Sequence, residues 1–84
     1  MSYSVYILSC ADDTLYTGIT TDVERRIKEH NGLLAGGAKY TMARRPVRLV
    51  YTETYPDRST ASKEEYRLKN LSRAQKQYLI QSSK

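Results

Sequence analysis

The sequence of 84 residues predicts a single small α+β domain with three strands and three helices. Three runs rich in β-branched and aromatic residues are bounded by turn-forming residues, which is typical of strands. Between and after these runs, capping residues mark the starts of helices. A chain of this length can bury only one thin core, so we expect no second domain.

The first two strands form a predicted β-hairpin. They run over Tyr3–Cys10 and Leu15–Ile19, and the turn-forming stretch Ala11–Thr14 separates them. Gly18 lies inside the second strand. A glycine at such a position indicates either a bulge or a close approach by another group.

The first helix follows the hairpin directly. Thr21 and Glu24 have the spacing of a capping box, with Thr21 as the cap, and Asn31-Gly32 provides a stop about ten residues later. Arg26 and His30 are one turn apart on this helix. Their Cβ atoms are therefore expected to lie about 5 to 6 Å from each other.

The segment from Leu33 to Arg45 is small and basic, and it predicts a loop that can lie along phosphates. Pro46 then leads into the third strand, Val47–Thr54. Four cations in and beside this loop are expected to contact a nucleic-acid backbone without reading its sequence: Lys39, Arg44, Arg45 and Arg48.

The third strand is followed by a helix over Thr60–Asn70 and by a last helical segment, which Ser72 opens and which runs towards Ile80. Glu65 lies on the inward stripe of the first of these helices, where an aliphatic residue is expected. A partly buried carboxylate there needs a metal or a cation. The ordinary alternative is a salt bridge with Lys69 or an arginine, whereas the neighbouring Glu64 is expected on a more exposed face.

The charge balance favours nucleic acid as the partner. Fourteen Lys and Arg against nine Asp and Glu give a formal net charge of +5, and a basic excess on a small surface attracts polyanions. Cys10 is the only cysteine, so we expect a buried thiol in a reducing cytoplasm. The short apolar run near the N-terminus predicts neither a signal peptide nor a membrane span.

Five side chains recur at spacings that suit one site. A hairpin can bring Tyr6 and Tyr16 together, and a helix entered from the second strand can direct Arg26 and His30 towards both. Glu65 adds a carboxylate. Taken singly, each residue is ordinary for a strand or a solvated helix edge. Together, phenols, a guanidinium, an imidazole and a carboxylate are the groups that cleavage of a phosphodiester requires.

The same positions resemble the motifs of the GIY-YIG nuclease superfamily. Ser4-Val5-Tyr6 stands where the first tripeptide of the family belongs, and Tyr16-Thr17-Gly18 stands where the second belongs. Arg26 matches the helix arginine of the family, and His30 matches a histidine found one turn later in many members. Glu65 matches the metal-binding glutamate.

The resemblance covers essentially the whole chain, and Lys69–Lys76 is similar to the tail of small stand-alone bacterial members of the YhbQ type. It implies an α/β sandwich with a central three-stranded antiparallel sheet flanked by helices. It also implies a metal-dependent DNA endonuclease that selects DNA by structure and acts in repair, with Mg²⁺ or Mn²⁺ bound by Glu65.

The chain departs from the family motifs at three points. Ser4 replaces the first glycine, and Thr17 replaces the second isoleucine. A late asparagine that supports the site in some members has no clear match, although Gln77 stands at a similar distance after Glu65.

The sequence leaves the general base and the function class open. A phenol becomes a usable base only if a nearby cation lowers its pKa, and Arg26 or the metal are the candidates for that. We favour Tyr6 as the base, with Tyr16 or His30 as alternatives. Besides an endonuclease, a non-catalytic basic nucleic-acid-binding module or, from smallness alone, a protein adaptor would fit the same composition.

Overall fold

The computed structural model describes residues 2–83, and these contain three strands and four helices. In chain order the elements are β1 (Tyr3–Ser9), β2 (Leu15–Thr20), α1 (Val23–His30), α2 (Lys39–Met42), β3 (Arg48–Tyr55), α3 (Arg58–Lys69) and α4 (Arg73–Ser82). Both strand pairs are antiparallel, and β1 lies between β2 and β3. This confirms the predicted three-stranded antiparallel sheet flanked by helices. Within residues 2–83, no helix is both long and apolar enough to cross a membrane.

The two faces of the sheet carry separate cores, because successive side chains of β1 point to opposite sides. On the face covered by α3 and α4, the buried cluster consists of Val5, Ile7, Ala61, Leu68 and Ile80. On the face covered by α1, it consists of Tyr6, Leu8, Cys10 and Val47, with Ile27 of α1 against it. The burial of the Cys10 thiol agrees with the prediction. We call these the α3 face and the α1 face.

Two helices begin at residues other than those predicted. Asp22, not Thr21, caps α1, because its carboxylate accepts a hydrogen bond from the Arg25 N–H at 3.1 Å. Asp57 caps α3 in the same way, so this helix starts at Arg58, two residues before the predicted Thr60. In both cases an aspartate near the expected start, one residue after Thr21 or three residues before Thr60, supplies the carboxylate that the free N–H groups need. Ser72 opens α4, as predicted, and it forms a capping box with Gln75.

Residues 33–45, which we call the connection, were predicted to form a loop; they contain a short helix as well, and they fold back onto α1. The connection contains the short helix α2, and it is tied to α1 at two backbone carbonyls. Arg26 Nη1 donates to the Gly36 carbonyl at 2.6 Å, and Arg45 Nε donates to the His30 carbonyl at 2.7 Å. The carbonyls at a helix C-terminus lack partners within the helix and accept such bonds.

The connection lies so close to α1 that Gly37 has no room for a side chain. A Cβ atom there would collide with the Glu29 carbonyl oxygen. At the end of the connection, the Asn31 amide binds both backbone groups of Val47, at 2.7 and 3.0 Å. Val47 was predicted to open the third strand. It lies outside β3 because the Asn31 side chain takes the place of a neighbouring strand.

Candidate active site

The register of the hairpin brings the two tyrosine motifs together. Tyr6 pairs with Gly18, and Leu8 pairs with Tyr16, so Tyr6 and Tyr16 share the α1 face with ring centroids 6.5 Å apart. The β1–β2 pairing has no register shift, so Gly18 is not a bulge. A Cβ atom at Gly18 would lie 2.5 Å from the Tyr6 hydroxyl oxygen. The glycine therefore makes room for the Tyr6 ring, which is the close-approach alternative.

His30 ends α1 and lies inside the protein, with 0% of its surface exposed. Its Nε2 atom is 2.9 Å from the Tyr6 hydroxyl, and its ring centroid is 5.0 Å from that of Tyr16. Burial, helped by the Arg26 charge, lowers the pKa of His30 to about 4. The imidazole is therefore neutral at pH 7, and a neutral imidazole has one nitrogen that can accept a proton.

The phenol of Tyr6 is protonated at neutral pH. Burial raises its pKa to about 12, and the nearby Arg26 opposes this rise without reversing it. The sequence made lowering of this pKa by Arg26 or the metal the condition for a phenol to act as the base, and Arg26 alone does not meet that condition. The reason is that the Tyr6 side chain is 1% exposed, so removing water from the phenolate outweighs the attraction of the guanidinium.

Arg26 is held in place by two acceptors. Its Nη1 atom donates to Glu29 Oε1 at 2.8 Å and to the Gly36 carbonyl at 2.6 Å. The Glu29 carboxylate beside it raises the pKa of Arg26, and Tyr6 acts in the same direction. The side chain retains 26% exposure, so the guanidinium faces both Tyr6 and the surface.

Glu65 extends from α3 and forms an ion pair with Lys69, with Oε2 and Nζ 3.2 Å apart. This is the partner that the sequence named as the alternative to a metal. Its charge still reaches Tyr6, whose pKa it raises slightly. Glu64 was predicted to be more exposed than Glu65. The two side chains are in fact similarly exposed, at 19% and 22%, because Glu64 is covered by its own pair with Arg67.

The part of the chain that the structure describes contains no group of three or more His, Cys, Asp or Glu side chains that could hold a metal ion. A single half-buried carboxylate nevertheless fits Mg²⁺, which keeps most of its water and binds proteins through one or two carboxylates together with substrate phosphates. The pair between Glu65 and Lys69 is partly exposed and can open. Glu65 is thus the residue that would hold such an ion.

Three of the four predicted phosphate-contacting cations lie in or next to the connection. Lys39 is exposed at the start of α2. Arg44 lies over the Tyr40 ring, with its Cζ atom 4.1 Å from the centroid, and pairs with Asp12 at 3.0 Å. Arg45 donates to the His30 carbonyl. The structure therefore gives two of these arginines internal partners, which the sequence did not predict.

Arg48 is not brought together with the other three cations. It pairs with Ser9, on the α3 face, and lines a cleft of about 210 Å³ at the end of the sheet. Arg73 and Gln77 line the same cleft. Gln77, the candidate for the late asparagine of the family, thus lies beside Arg48 and not among the contacts of Tyr6 or His30 in residues 2–83.

Tyr40 and Thr41 of α2 are two neighbours of the site that were not predicted from the sequence. The Tyr40 ring packs against Tyr16, with centroids 5.5 Å apart. Thr41 is fully buried, and its Oγ1 atom lies 2.8 Å from His30 Nδ1. No local signal could have found them, because their position depends on the folding back of the connection.

The family described as the GIY-YIG catalytic domain matches residues 2–78. A UPF0213 protein of Desulfotalea psychrophila is 58% identical over 82 residues, which are 98% of this chain and 74% of that protein. A UPF0213 protein of Natronomonas pharaonis is 55% identical over 76 residues, which are 90% of this chain and 87% of that protein. The similarity therefore extends far beyond the two tyrosine motifs.

Solved structures share the fold. The solution NMR structure of a UPF0213 protein from Bacillus halodurans has a TM-score of 0.62 and 49% identity, over 96% of this chain and 84% of that one. The solution NMR structure of a protein from E. faecalis has a TM-score of 0.65 and 43% identity, over 98% of this chain and 85% of that one. Sequence, fold and the paired tyrosines agree: the chain belongs to the GIY-YIG nuclease superfamily, as a small member similar to the UPF0213 proteins.

Proposed function

We propose that the chain is a divalent-metal-dependent endonuclease that hydrolyses phosphodiester bonds in DNA. The observation that carries this proposal is the 2.9 Å contact between the Tyr6 hydroxyl and His30 Nε2, next to the Arg26 guanidinium. A phenol bound to a neutral imidazole can accept one proton while it releases another. Such a pair supports general base catalysis even though the phenol itself is protonated.

The proton transfer that we propose uses both groups. Tyr6 Oη accepts a proton from the attacking water while the Tyr6 hydroxyl proton moves to His30 Nε2. The water oxygen forms a new bond to phosphorus as the bond to the leaving sugar oxygen breaks, and that oxygen takes a proton from solvent. This relay joins two of the alternatives that the sequence left open, Tyr6 and His30. Tyr16, 6.5 Å from Tyr6 between ring centroids, orients the water.

Two charged groups complete the proposed site. Arg26 stabilises the negative charge that develops on the phosphate oxygens, because its guanidinium is always protonated and is already held by Glu29 and Gly36. Glu65 would bind Mg²⁺ or Mn²⁺, which when bound polarises the scissile phosphate.

DNA is the proposed substrate because the chain carries a net charge of +5 and exposes Lys39 next to the site. The resemblance to small members of the family supports selection by DNA structure and a role in repair. Contacts from Arg44, Arg45 and Arg48 to the DNA backbone remain part of the proposal, with Arg48 approaching from the α3 face. The single free cysteine, buried, is consistent with a reducing cytoplasm.

A second candidate is a non-catalytic nucleic-acid-binding module. The ion pair between Glu65 and Lys69 favours it, because a carboxylate neutralised by its own helix is not free for a metal. The basic charge would serve this function equally well. The endonuclease is preferred because a module that only binds phosphate has no use for a buried imidazole against a phenol.

The decisive experiment incubates the protein with end-labelled flap, branched, nicked, single-stranded and duplex DNA. Each DNA is tested with Mg²⁺, Mn²⁺ or EDTA, and both cleavage and gel retardation are measured. Cleavage of branched or flapped DNA that stops in EDTA is the expected result. Retardation without cleavage under every condition would favour the binding module, and neither effect would contradict both candidates.

A further inference from the structure

Thr41 contributes the second hydrogen bond of the buried imidazole. It belongs to α2, is fully buried, and lies with Oγ1 2.8 Å from His30 Nδ1 and 3.0 Å from the Ala38 carbonyl oxygen. His30 therefore has Thr41 on one ring nitrogen and Tyr6 on the other. Which nitrogen carries the proton depends on the direction of these bonds.

The geometry favours one direction. The Thr41 hydroxyl donates to the Ala38 carbonyl, because otherwise two oxygen acceptors would face each other at 3.0 Å without a proton between them. Having given its one proton to Ala38, Oγ1 must accept from Nδ1–H of His30. Nε2 then has no proton and accepts from the Tyr6 hydroxyl. In the opposite tautomer, the Tyr6 proton would have no acceptor among the side chains that the structure describes.

We infer that Thr41 is a positioning residue that holds His30 in the Nδ1–H tautomer, so that Nε2 is free to take the Tyr6 proton. The part of this inference that concerns catalysis rests on the proposed nuclease function, whereas the assignment of the His30 tautomer does not. The connection gives Thr41 its place, because Gly37 lets the chain approach Glu29 closely and Arg45 ties it to the His30 carbonyl.

The tautomer can be measured directly, because His30 is the only histidine of the chain. The experiment is ¹⁵N–¹H NMR of protein labelled in the imidazole ring, at pH 7. The expected spectrum of the wild-type protein shows a protonated Nδ1 and an unprotonated Nε2. A wild-type spectrum with the proton on Nε2 would overturn the inference without any variant.

Two substitutions extend the test. Thr41→Val keeps the shape but removes the hydroxyl, so it should give a mixture of tautomers and lower kcat about tenfold with little change in KM. Thr41→Ser keeps the hydroxyl and should restore both the wild-type spectrum and the rate. A Thr41→Val protein with an unchanged tautomer and rate would contradict the positioning role.

The nuclease proposal can fail separately. If the wild-type protein cleaves no DNA but shows an unprotonated Nε2 that Thr41→Val disturbs, the proposed function is wrong while the effect of Thr41 on His30 stands. If DNA is cleaved and the proton is on Nε2, the proposed nuclease function is supported and the proposed role of Thr41 is wrong.

Discussion

Arg25 and Arg26 bind opposite oxygens of one carboxylate, that of Glu29. Arg25 Nε lies 3.2 Å from Oε2, and Arg26 Nη1 lies 2.8 Å from Oε1. Their side chains differ in exposure, at 68% and 26%, because only Arg26 is turned towards Tyr6. Both arginines therefore form an ion pair with Glu29, but only Arg26 has a proposed role in catalysis. Arg25 is its matched control.

Replacement of Arg26 by alanine is expected to lower kcat on a cleavable DNA by about 100-fold or more, as when a group that stabilises transition-state charge is removed. Arg25→Ala should leave kcat close to the wild-type value. Single-turnover rates at saturating DNA and melting temperatures measure both effects. An Arg26→Ala protein that binds DNA more weakly but cleaves normally when saturated would contradict the role of Arg26.

Glu64 and Glu65 form a second matched pair, since each is about one-fifth exposed and each has a cation on its own helix. Glu65→Gln is expected to abolish metal-dependent cleavage and to leave DNA retardation largely intact, because it removes an anionic ligand and keeps the shape. Glu64→Gln should change neither. Equal loss in both variants, or unfolding of the Glu65→Gln protein, would show that Glu65 has no special part in metal binding.

The stability of the protein should depend on pH through His30. The pKa of its imidazole is about 4 in the folded protein and about 6.5 in the unfolded chain, so the unfolded chain binds more protons between these values. The neutral imidazole therefore makes its full contribution to the free energy of unfolding above pH 6.5. This contribution, about 3 kcal/mol, is lost as the pH drops towards 4.

Urea unfolding at pH 7, 6, 5 and 4.5 measures this dependence. Several carboxylates also have lowered pKa values, among them Asp57 and Glu29, and they add to the loss at the acidic end. The His30→Gln variant lacks the imidazole and separates its effect from that of the carboxylates. The stability of this variant should change less between pH 7 and 5 than that of the wild-type protein. Parallel curves for the two proteins would mean that the folded protein does not depress the pKa of His30.

Gly18→Ala should displace the Tyr6 ring, because the added Cβ would lie 2.5 Å from the hydroxyl oxygen and 2.8 Å from Cζ. Crowding of this kind in a packed site typically costs about 1 to 3 kcal/mol, and the proposed proton relay would be broken as well. Thermal unfolding and cleavage rates report the two effects. In a Tyr6→Leu background the same substitution should be nearly neutral for stability, and a full cost there would point to a clash with something other than Tyr6.

Thr17→Val is expected to stabilise the protein by about 1 kcal/mol, since a buried hydroxyl without a hydrogen-bond partner is unfavourable. The Thr17 side chain is 4% exposed, and its Oγ1 atom has no such partner within residues 2–83. Thr17→Ser, which keeps the hydroxyl and loses the methyl group, should destabilise. Chemical denaturation of both variants is the measurement, and a destabilised Thr17→Val protein would show that the hydroxyl is satisfied.

Much of the fold follows from local patterns. The strand-forming run that contains Tyr6 and the turn after it predicted the hairpin, and the register then put Tyr16 on the same face. The cap of α1 was missed by one residue because Thr21 and Asp22 are both good caps, and only the backbone geometry decides between them.

The connection and the burial of His30 were beyond sequence analysis. At the end of an amphipathic helix, a buried histidine and a solvated histidine look the same in the sequence. Its burial depends on contacts between residues far apart in the chain, such as the hydrogen bond that Arg45 donates to its carbonyl and the hydrogen bond between its ring and Thr41. The net pKa of Tyr6 could not be predicted for the same reason, because it depends on how much water the folded site excludes.

The position of β1 between the other two strands has a consequence for the dynamics of the site. Tyr6 lies on a strand whose neighbours pair with it on both edges, so its amide should be among the slowest to exchange with solvent deuterium. Glu65 lies on an outer helix and is held by one half-exposed ion pair. The site thus joins a rigid half, which would set the geometry of the proposed proton transfer, to an adjustable half, which in the proposed function would accommodate DNA ends of different shapes.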